Sequence, residues 1–378
     1  MTQTADTVVI GGGVVGSAIA YGLAKRGARV TILDEGDDAI RASRVNFGLV
    51  WLHGKGDGMP AYGFWTRRST ELWPRFADEL KAETGIDTHY VKSGGLSYCL
   101  GETEYARETE TLQRMREQAE RDPYETRMVD RGDLMRMMPG VTFGAEVMGA
   151  SYGLHDGHVS PLNLLHGLHT ALMRLGVDYR PGAPVLDVKP AATAGGGFEV
   201  RTANETFSTP RVVLAAGHGI MPLMRPLGFE VEILAERGQI MVTERMAPMG
   251  LLPANGVRQT AEGTLLIGTT NEDAGYDVST TPQAGASMVQ RAIRVIPALA
   301  HVRIVRTWAG LRTLTKDESP IYEESARYPG AFLATCHSGV TLAAVHATDL
   351  ADAIYNGKLG ADIEPFHSQR FLDTKHGR

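Results

Sequence analysis

The chain has 378 residues, enough for two or three folding units, and its 43% hydrophobic and 22% charged residues exclude a disordered or fibrous protein. Its 38 basic and 44 acidic residues give a net charge of −6 without a basic block, which argues against nucleic acid as a partner. With two cysteines, no signal peptide and no apolar stretch long enough to span a membrane, a cytoplasmic protein is expected.

The first elements predicted along the chain are a strand, a glycine turn, a helix and a second strand. A β-branched run at Thr7–Ile10 leads directly into glycines. Helix-forming apolar residues extend from Ser17 to Lys25, and a second apolar run covers Ala28–Leu33. Because a helix joins the two strands, they are expected to lie parallel in one sheet.

The rest of the chain alternates between helices and strands, with no internal repeat and no low-complexity linker. Helices are predicted at Phe64–Glu83, Glu102–Arg121, Leu162–Leu175, Gln283–Ile296 and Leu342–Asn356. Strands are predicted at Val177–Tyr179, Arg211–Ala215, Gln239–Thr243, Thr264–Gly268, Ile304–Leu311 and Ala331–Ala334, and a small antiparallel layer at Val185–Val188, Phe198–Thr202 and Thr206–Phe207. Separate domains would therefore have to share interleaved segments.

A glycine motif lies between the first strand and the first helix. It is Gly11-Gly12-Gly13-Val14-Val15-Gly16, a G-x-G-x-x-G. In such a motif Gly11 makes the tight turn, Gly13 admits a pyrophosphate at the helix N-terminus, and Gly16 lets the helix meet the strand. Asp34, followed by Glu35, ends the second strand, where an acid binds ribose hydroxyls. The motif predicts a dinucleotide site without choosing between NAD and FAD; the alternative is a structural turn with Asp34 as a strand-end cap.

Six further segments carry a resemblance to a known family. They are Arg41–Gly48, Asp156–Pro161, Val213–Gly217, Arg237–Gln239, Gly310–Arg312 and His337–Leu342. In their order and spacing, over essentially the whole chain, the sequence resembles the D-amino acid oxidase, glycine oxidase and sarcosine oxidase family of FAD-dependent oxidoreductases. Residues 42–55 (ASRVNFGLVWLHGK) are most similar to the flavin subunits of bacterial opine and related amino-acid dehydrogenases.

The resemblance implies an α/β fold in two interleaved parts. A Rossmann-like FAD-binding domain is expected from residues 1–86, 146–223 and 317–378. A substrate-binding domain with an antiparallel sheet is expected from residues 87–145 and 224–316.

The resemblance also implies which residues hold FAD. The expected contacts are Ser43, Arg44 and Asn46 along the pyrophosphate and ribityl chain, Gly48 and Leu49 beside the isoalloxazine, Ala216 and Gly217 over the adenine side with Val185 nearby, Gly310, and the late motif His337, Ser338, Gly339, Val340 and Thr341 at the pyrimidine edge. The alternative for the late motif is a helix N-cap by Thr341. Residues 310–313 include no cysteine where sarcosine oxidases attach flavin, so non-covalent FAD is expected.

Arg312 is the strongest candidate on the substrate side, and the resemblance gives it a cofactor-side position as well. It follows an apolar strand, and a guanidinium there is costly to bury unless an anion meets it. Its planar fork suits a carboxylate, and the resemblance places a substrate-carboxylate arginine at this position. The alternative is a structural ion pair with Asp317 or Glu318.

Four other side chains are candidates for the substrate side. Tyr276 either covers the site or lies at the surface, and Gln239 either faces the flavin ring or bonds neighbouring backbone. His53, with Lys55, either selects a second acidic group on the substrate or belongs to a solvated loop. No group of histidines has a third ligand nearby, so no metal is expected.

The leading interpretation is FAD-dependent oxidation of the C–N bond of an amino acid or N-substituted amino acid, such as glycine, sarcosine, a D-amino acid or an opine. The resemblance implies hydride transfer to flavin N5 and an imine that water hydrolyses. Leu266 stands where sarcosine oxidases carry a lysine that assists reaction with oxygen, so the acceptor is either O2 or a redox partner subunit. The alternatives are a flavin subunit that passes electrons to a partner, and an NAD-dependent dehydrogenase, which leaves the late motif unexplained.

Overall fold

The computed structural model describes residues 2–36, 41–119, 123–191 and 196–373. The strands are β1 (Thr2–Thr4), β2 (Thr7–Ile10), β3 (Val30–Asp34), β4 (Leu49–Val50), β5 (Gly95–Leu100), β6 (Arg127–Asp130), β7 (Val147–Gly153), β8 (Gly157–His158), β9 (Asp178–Pro181), β10 (Asp187–Pro190), β11 (Phe198–Arg201), β12 (Thr206–Thr209), β13 (Val212–Leu214), β14 (Leu234–Arg245), β15 (Val257–Gln259), β16 (Thr264–Gly268), β17 (Ile304–Leu314), β18 (Ile321–Glu324) and β19 (Ala331–Thr335). The helices are α1 (Val14–Lys25), α2 (Pro60–Thr84), α3 (Gly101–Gln118), α4 (Arg131–Met137), α5 (Pro161–Arg174), α6 (Met221–Met224), α7 (Pro282–Val295), α8 (Ala343–Val345), α9 (Ala351–Asn356) and α10 (Arg370–Asp373).

A six-stranded sheet in the order β18-β19-β13-β2-β3-β9 forms the centre of the fold. Its strands pair in parallel except β18, which is antiparallel to β19. Both faces are covered: Val9 belongs to a core that includes residues of α1, α2 and α5, whereas Val8 and Ile10 belong to a core on the other face. Burial on both faces explains why β2 is apolar at three consecutive positions rather than alternating. The expected parallel pairing of the first two strands is confirmed.

A small sheet in the order β1-β12-β11-β10 packs over one face of the central sheet. Its antiparallel part matches the layer predicted from the sequence. β1 joins it by parallel pairing with β12, which was not predicted, since a three-residue strand leaves too short a hydrophobic pattern.

The remaining described residues build three further antiparallel sheets: the pair β4-β8 and the larger sheets β15-β16-β14-β17 and β5-β7-β6. A bridge between Leu96 and Ala254 connects the two larger sheets. The predicted antiparallel sheet of the second domain is therefore present. β7, which follows the predicted boundary at residue 146, pairs with β5 and β6 and not with the central sheet. β5 and β7 mix glycine and serine with apolar residues, and β6 has only four residues, so none of the three shows a clear hydrophobic periodicity.

The helices depart from prediction mainly at their ends. α2 begins at Pro60, four residues early, because proline is well placed in a first helical turn. α3 ends at Gln118, and the predicted end at Arg121 lies outside the described residues. The predicted last helix is split into α8 and α9 by a π-helical turn at His346–Leu350. No helix in the described ranges has both the length and the apolar character to cross a bilayer.

Candidate functional site

Two adjoining cavities lie at the carboxyl ends of the parallel strands. The first, the nucleotide cavity, has a volume of about 360 Å³, and loops after β2, β3, β13 and β19 line it. The second cavity, of about 370 Å³, lies between this edge and β14 and β17. The two share wall residues, namely Ala42, Asn46, Leu311, Thr313, Cys336, His337 and Val340. An extended ligand can therefore pass from one into the other.

The glycines of the motif lie too close to neighbouring atoms for a side chain to fit at their positions. Gly11 has a φ of 109°, and a Cβ there would lie 2.6 Å from the carbonyl oxygen of Ala215. A Cβ on Gly16 would lie 2.0 Å from the oxygen of Gly11, and one on Gly13 would lie 2.9 Å from the Ser43 hydroxyl. The hydroxyl of Ser43 accepts a hydrogen bond from the backbone N–H of Val14 (3.0 Å). This bare backbone at the start of α1 fits a pyrophosphate.

Asp34 is buried at the wall of the nucleotide cavity. Its carboxylate accepts hydrogen bonds from the backbone N–H of Gly12 (2.7 Å) and of Gly36 (2.9 Å). Asp34 thus stabilises the glycine turn and also lines the cavity. Both predictions for this residue, a structural cap and an acid at a nucleotide site, are compatible with its position. Beside it, Glu35 forms an ion pair with Arg41.

Most of the predicted cofactor residues line the cavities. The nucleotide cavity is lined by Gly11, Gly13, Val14, Val15, Asp34, Glu35, Ser43, Arg44, Asn46, Ala216, Gly217, His337, Gly339 and Val340. The second cavity is lined by Asn46, Leu49, Gly310, Arg312, His337, Ser338, Val340 and Thr341. Outside both linings lie Gly16, which packs under Gly11, Gly48, which packs against Arg258, and Val185, which packs against the core under the small sheet.

The late motif closes the boundary between the two cavities. His337 is half-buried there, and its Nδ1 has no hydrogen-bond partner among the described residues. Desolvation lowers the imidazole pKa to about 3, so the ring is neutral. Thr341 does not cap a helix: its hydroxyl accepts from the N–H of Trp51 (3.1 Å) and donates to the oxygen of Leu49 (3.3 Å). An orphaned ring nitrogen facing both cavities fits a ligand with hydrogen-bonding edges.

Arg312 lies half-buried in the wall of the second cavity. Its Nη1 donates to the Glu236 carboxylate (2.6 Å) and its Nη2 to the Thr269 hydroxyl (2.8 Å). Neither predicted acid is the partner, because Asp317 pairs with Arg370. A guanidinium has five N–H groups, so these two contacts leave donors for a carboxylate in the cavity.

Gln239 and Tyr276 lie away from the second cavity. Residues alternate across β14, so Gly238 and Ile240 face the cavity while Gln239 faces the other side, where its amide donates to Glu272 (2.8 Å). Gln239, predicted to face the flavin ring, therefore does not line the second cavity. Tyr276 is 65% exposed and lines neither cavity, which agrees with the alternative of a surface tyrosine.

His53 forms the centre of a buried charged cluster at one wall of the second cavity. Its Nε2 lies 2.6 Å from the Ser151 hydroxyl and 3.2 Å from Glu108, and its Nδ1 lies 3.4 Å from Asp156. Burial alone would lower the imidazole pKa, but contacts with Asp156 and Glu108 outweigh it and raise the pKa to about 9. Both ring nitrogens face protein groups, and the ring is buried in the wall of the second cavity.

Lys55 stands in the same wall, with its ammonium 5.5 Å from the centre of the Tyr62 ring. Burial lowers the pKa of this ammonium. Lys55 thus remains the candidate for a second acidic group on the substrate.

Comparison with known proteins identifies the family. A family model described as DAO, FAD dependent oxidoreductase, matches residues 6–353. The chain belongs to this DAO family of FAD-dependent oxidoreductases. It is 38% identical to an opine oxidase subunit of Agrobacterium tumefaciens (strain Ach5), with 97% of each chain covered. It is 30% identical to hydrogen cyanide synthase subunit HcnC of Pseudomonas aeruginosa, with 98% of this chain and 97% of that one covered.

Among solved structures, glycine oxidase from Geobacillus kaustophilus is similar with a TM-score of 0.85 and 26% identity, covering 97% of this chain and 98% of that one. The α/β fold and FAD as the cofactor of this DAO-family chain are thereby confirmed, and the NAD-dependent alternative is wrong.

Several site residues of this DAO-family protein were missed from the sequence. Glu236 lies directly across from Arg312 in the β14–β17 register, a relation visible only once β14 is known to begin at Leu234. Arg258 is buried on β15 directly across from Leu266, the position that the resemblance aligns with a lysine of sarcosine oxidases. Its guanidinium donates to the oxygen of Phe47 and lies 5.8 Å from that ring. A buried arginine in an unremarkable run of polar residues gives no sequence signal.

Proposed function

We propose that the chain oxidises the C–N bond of an N-substituted amino acid of the opine type, with Arg312 as the residue that binds the substrate carboxylate. The observation that carries this is the position of Arg312 in a cavity that shares seven wall residues with the nucleotide cavity. The name of the 38% identical relative, an opine oxidase subunit, supports the opine class over simple amino acids.

The residues of the chain have separate roles in this reaction. When bound, FAD supplies the acceptor for the hydride taken from the substrate carbon. Arg312 orients the carboxylate, and its ion pair with Glu236 keeps the guanidinium in one position. Phe47, Leu49 and Ile240 provide an apolar wall that limits water around the reacting carbon.

No side chain of the second cavity is assigned as a base. His53 carries its proton at neutral pH, since its pKa is raised to about 9, and cannot accept another. The substrate amine therefore binds without its proton, which leaves to solvent. The imine product is then hydrolysed by water.

We further propose that the chain acts as a subunit that passes electrons to a partner protein, with non-covalent FAD. The names of two relatives, an opine oxidase subunit and hydrogen cyanide synthase subunit HcnC, support a multi-subunit assembly. Leu266 in place of the lysine that assists oxygen supports a protein acceptor over O2.

Anaerobic reduction of the bound flavin tests the proposal. Purified protein is mixed with N-(1-carboxyethyl) amino acids, glycine, sarcosine and D-alanine, and the visible flavin absorbance is followed. Bleaching by the N-substituted substrates is expected, and persistence of the bleached state in air followed by rapid recovery with an artificial electron acceptor supports a dehydrogenase. A protein bleached by none of these compounds contradicts the proposed function.

Arg312→Ala is expected to lower kcat/KM by about a hundredfold, since it removes charge-assisted hydrogen bonds to the carboxylate. Arg306→Ala is the matched control, because Arg306 is an exposed arginine on the same strand that lines neither cavity. Equal effects of the two substitutions contradict the role of Arg312.

A further inference from the structure

A third cavity adjoins the second on the side away from the nucleotide cavity. It has a volume of about 470 Å³ and lies between α7 and the end of β16. Asn255, Thr269 and Asn271 line both the second and the third cavity. Thr269 is also the residue whose hydroxyl accepts from Arg312 (2.8 Å). The two cavities therefore meet at Thr269, beside the guanidinium that would hold a substrate carboxylate.

The charged groups of the third cavity are neutralised by neighbours. Glu272 receives a hydrogen bond from Arg237 (2.8 Å), and both Nη atoms of Arg291 lie 2.9 Å from the Glu104 carboxylate. A charged ligand group placed here would lose its hydration without finding an unpaired opposite charge.

The polar groups that remain available are neutral. The side chains of Asn255, Asn271, Gln283 and Ser287 line the cavity and are exposed, and in the described parts of the chain none of them makes a side-chain hydrogen bond. Together they offer both donors and acceptors without net charge. A carboxamide or hydroxyl group recovers its hydrogen bonds in such surroundings, whereas an unbranched small amino acid would not reach them.

We infer that the third cavity is a subsite for the second arm of a branched N-substituted amino acid, and that it selects an arm ending in a neutral polar group such as a carboxamide. This inference rests on the proposed function, because Arg312 has to hold the carboxylate of the first arm. Specificity then has two sources on opposite sides of Thr269. Arg312 binds the carboxylate by charge, and the third cavity binds the second arm by neutral hydrogen bonds.

The test compares three substrates that differ only in the second arm: N-(1-carboxyethyl) derivatives of glutamine, glutamate and glycine. We expect kcat/KM for the glutamine derivative to exceed that for each of the other two by about tenfold, the value of one or two neutral hydrogen bonds. A kcat/KM for the glutamine derivative that equals either of the others overturns the inference while leaving the proposed function intact. If none of the three reduces the flavin, the proposed function itself fails.

Two tryptophan substitutions on α7 locate the subsite. Ser287→Trp fills the third cavity, and we expect it to reduce the glutamine-to-glycine ratio of kcat/KM by about tenfold. Ala286→Trp adds the same bulk at the adjacent exposed residue, which does not line the cavity, and is expected to keep the ratio. If the Ser287→Trp protein does not retain FAD, Asn271→Ala provides the same comparison. A ratio unchanged by both Ser287→Trp and Asn271→Ala overturns the inference.

Discussion

The contact between buried His53 and half-buried Glu108 allows the electrostatics of the second cavity to be measured. Burial by itself would lower the pKa of His53, but the contacts with Asp156 and Glu108 outweigh burial and raise the pKa from 6.5 to about 9. A raised folded-state pKa stabilises the protein fully below pH 6.5, and the effect is lost as pH rises through 9. Linkage gives about 2–3 kcal/mol at pH 7 and almost none at pH 10, for the whole cluster.

The perturbation is a double-mutant cycle of His53→Gln and Glu108→Gln, which isolates the share of one pair. The free energy of unfolding of the four proteins is measured by urea denaturation with saturating FAD at pH 7 and pH 10. A coupling energy of about 1–2 kcal/mol is expected at pH 7, because Glu108 is one of two carboxylates, and it should vanish at pH 10. Other groups that titrate cancel in the cycle. A coupling energy that is the same at both pH values would refute the conclusion that His53 is protonated at pH 7.

Three further predictions concern the cofactor. Gly16→Ala should abolish FAD binding, since its Cβ would lie 2.0 Å from the Gly11 oxygen, whereas Gly140→Ala, with open space around it, should keep the flavin; equal FAD content in both would refute the close packing. Acid precipitation should release FAD into solution, because burial raises the pKa of the adjoining Cys336 thiol to about 12 and keeps it unreactive; yellow pellets would show covalent flavin. Arg258→Gln should lower the flavin midpoint potential by about 30 mV or more, because the buried guanidinium, which contacts residues 47–48, favours the anionic reduced flavin. Arg258→Lys keeps the charge and should preserve the potential. Equal potentials in both variants and the unsubstituted protein would refute this role of Arg258.

Local signals were sufficient for the nucleotide-binding half of the fold. The glycine motif, the acid at the end of β3 and the buried strands β2, β3, β13 and β19 each depend on a few consecutive residues. Segments from distant parts of the chain were assigned to one site only through the resemblance. Periodicity by itself does not say that residues 336–340 meet residues 11–16.

Side-chain partners in the second cavity depended on information that a single sequence lacks. The partner of Arg312 is Glu236, 76 positions earlier, because the two strands pair in one particular register. The sequence does not show which residues of β14 face the cavity, and a shift of one residue moves a side chain to the opposite face of the sheet. For this reason Gln239 was predicted to lie on the ring side. The groups around His53 are two acids, from α3 and from the turn before β8, and the hydroxyl of Ser151 on β7. Neither their closeness nor the resulting positive charge was foreseeable from the sequence.

The sheet order has a consequence for how the protein is made. β13 lies between β2 and β19, and β19 with the following residues 336–340 comes late in the chain. During synthesis the ribosome therefore releases an apolar β13 whose outer edge stays unpaired until residues 331–335 emerge, an arrangement that invites association between nascent chains. The last wall of the nucleotide cavity is completed at the same moment. FAD can thus be enclosed only near the end of translation, after residues 331–340 have emerged.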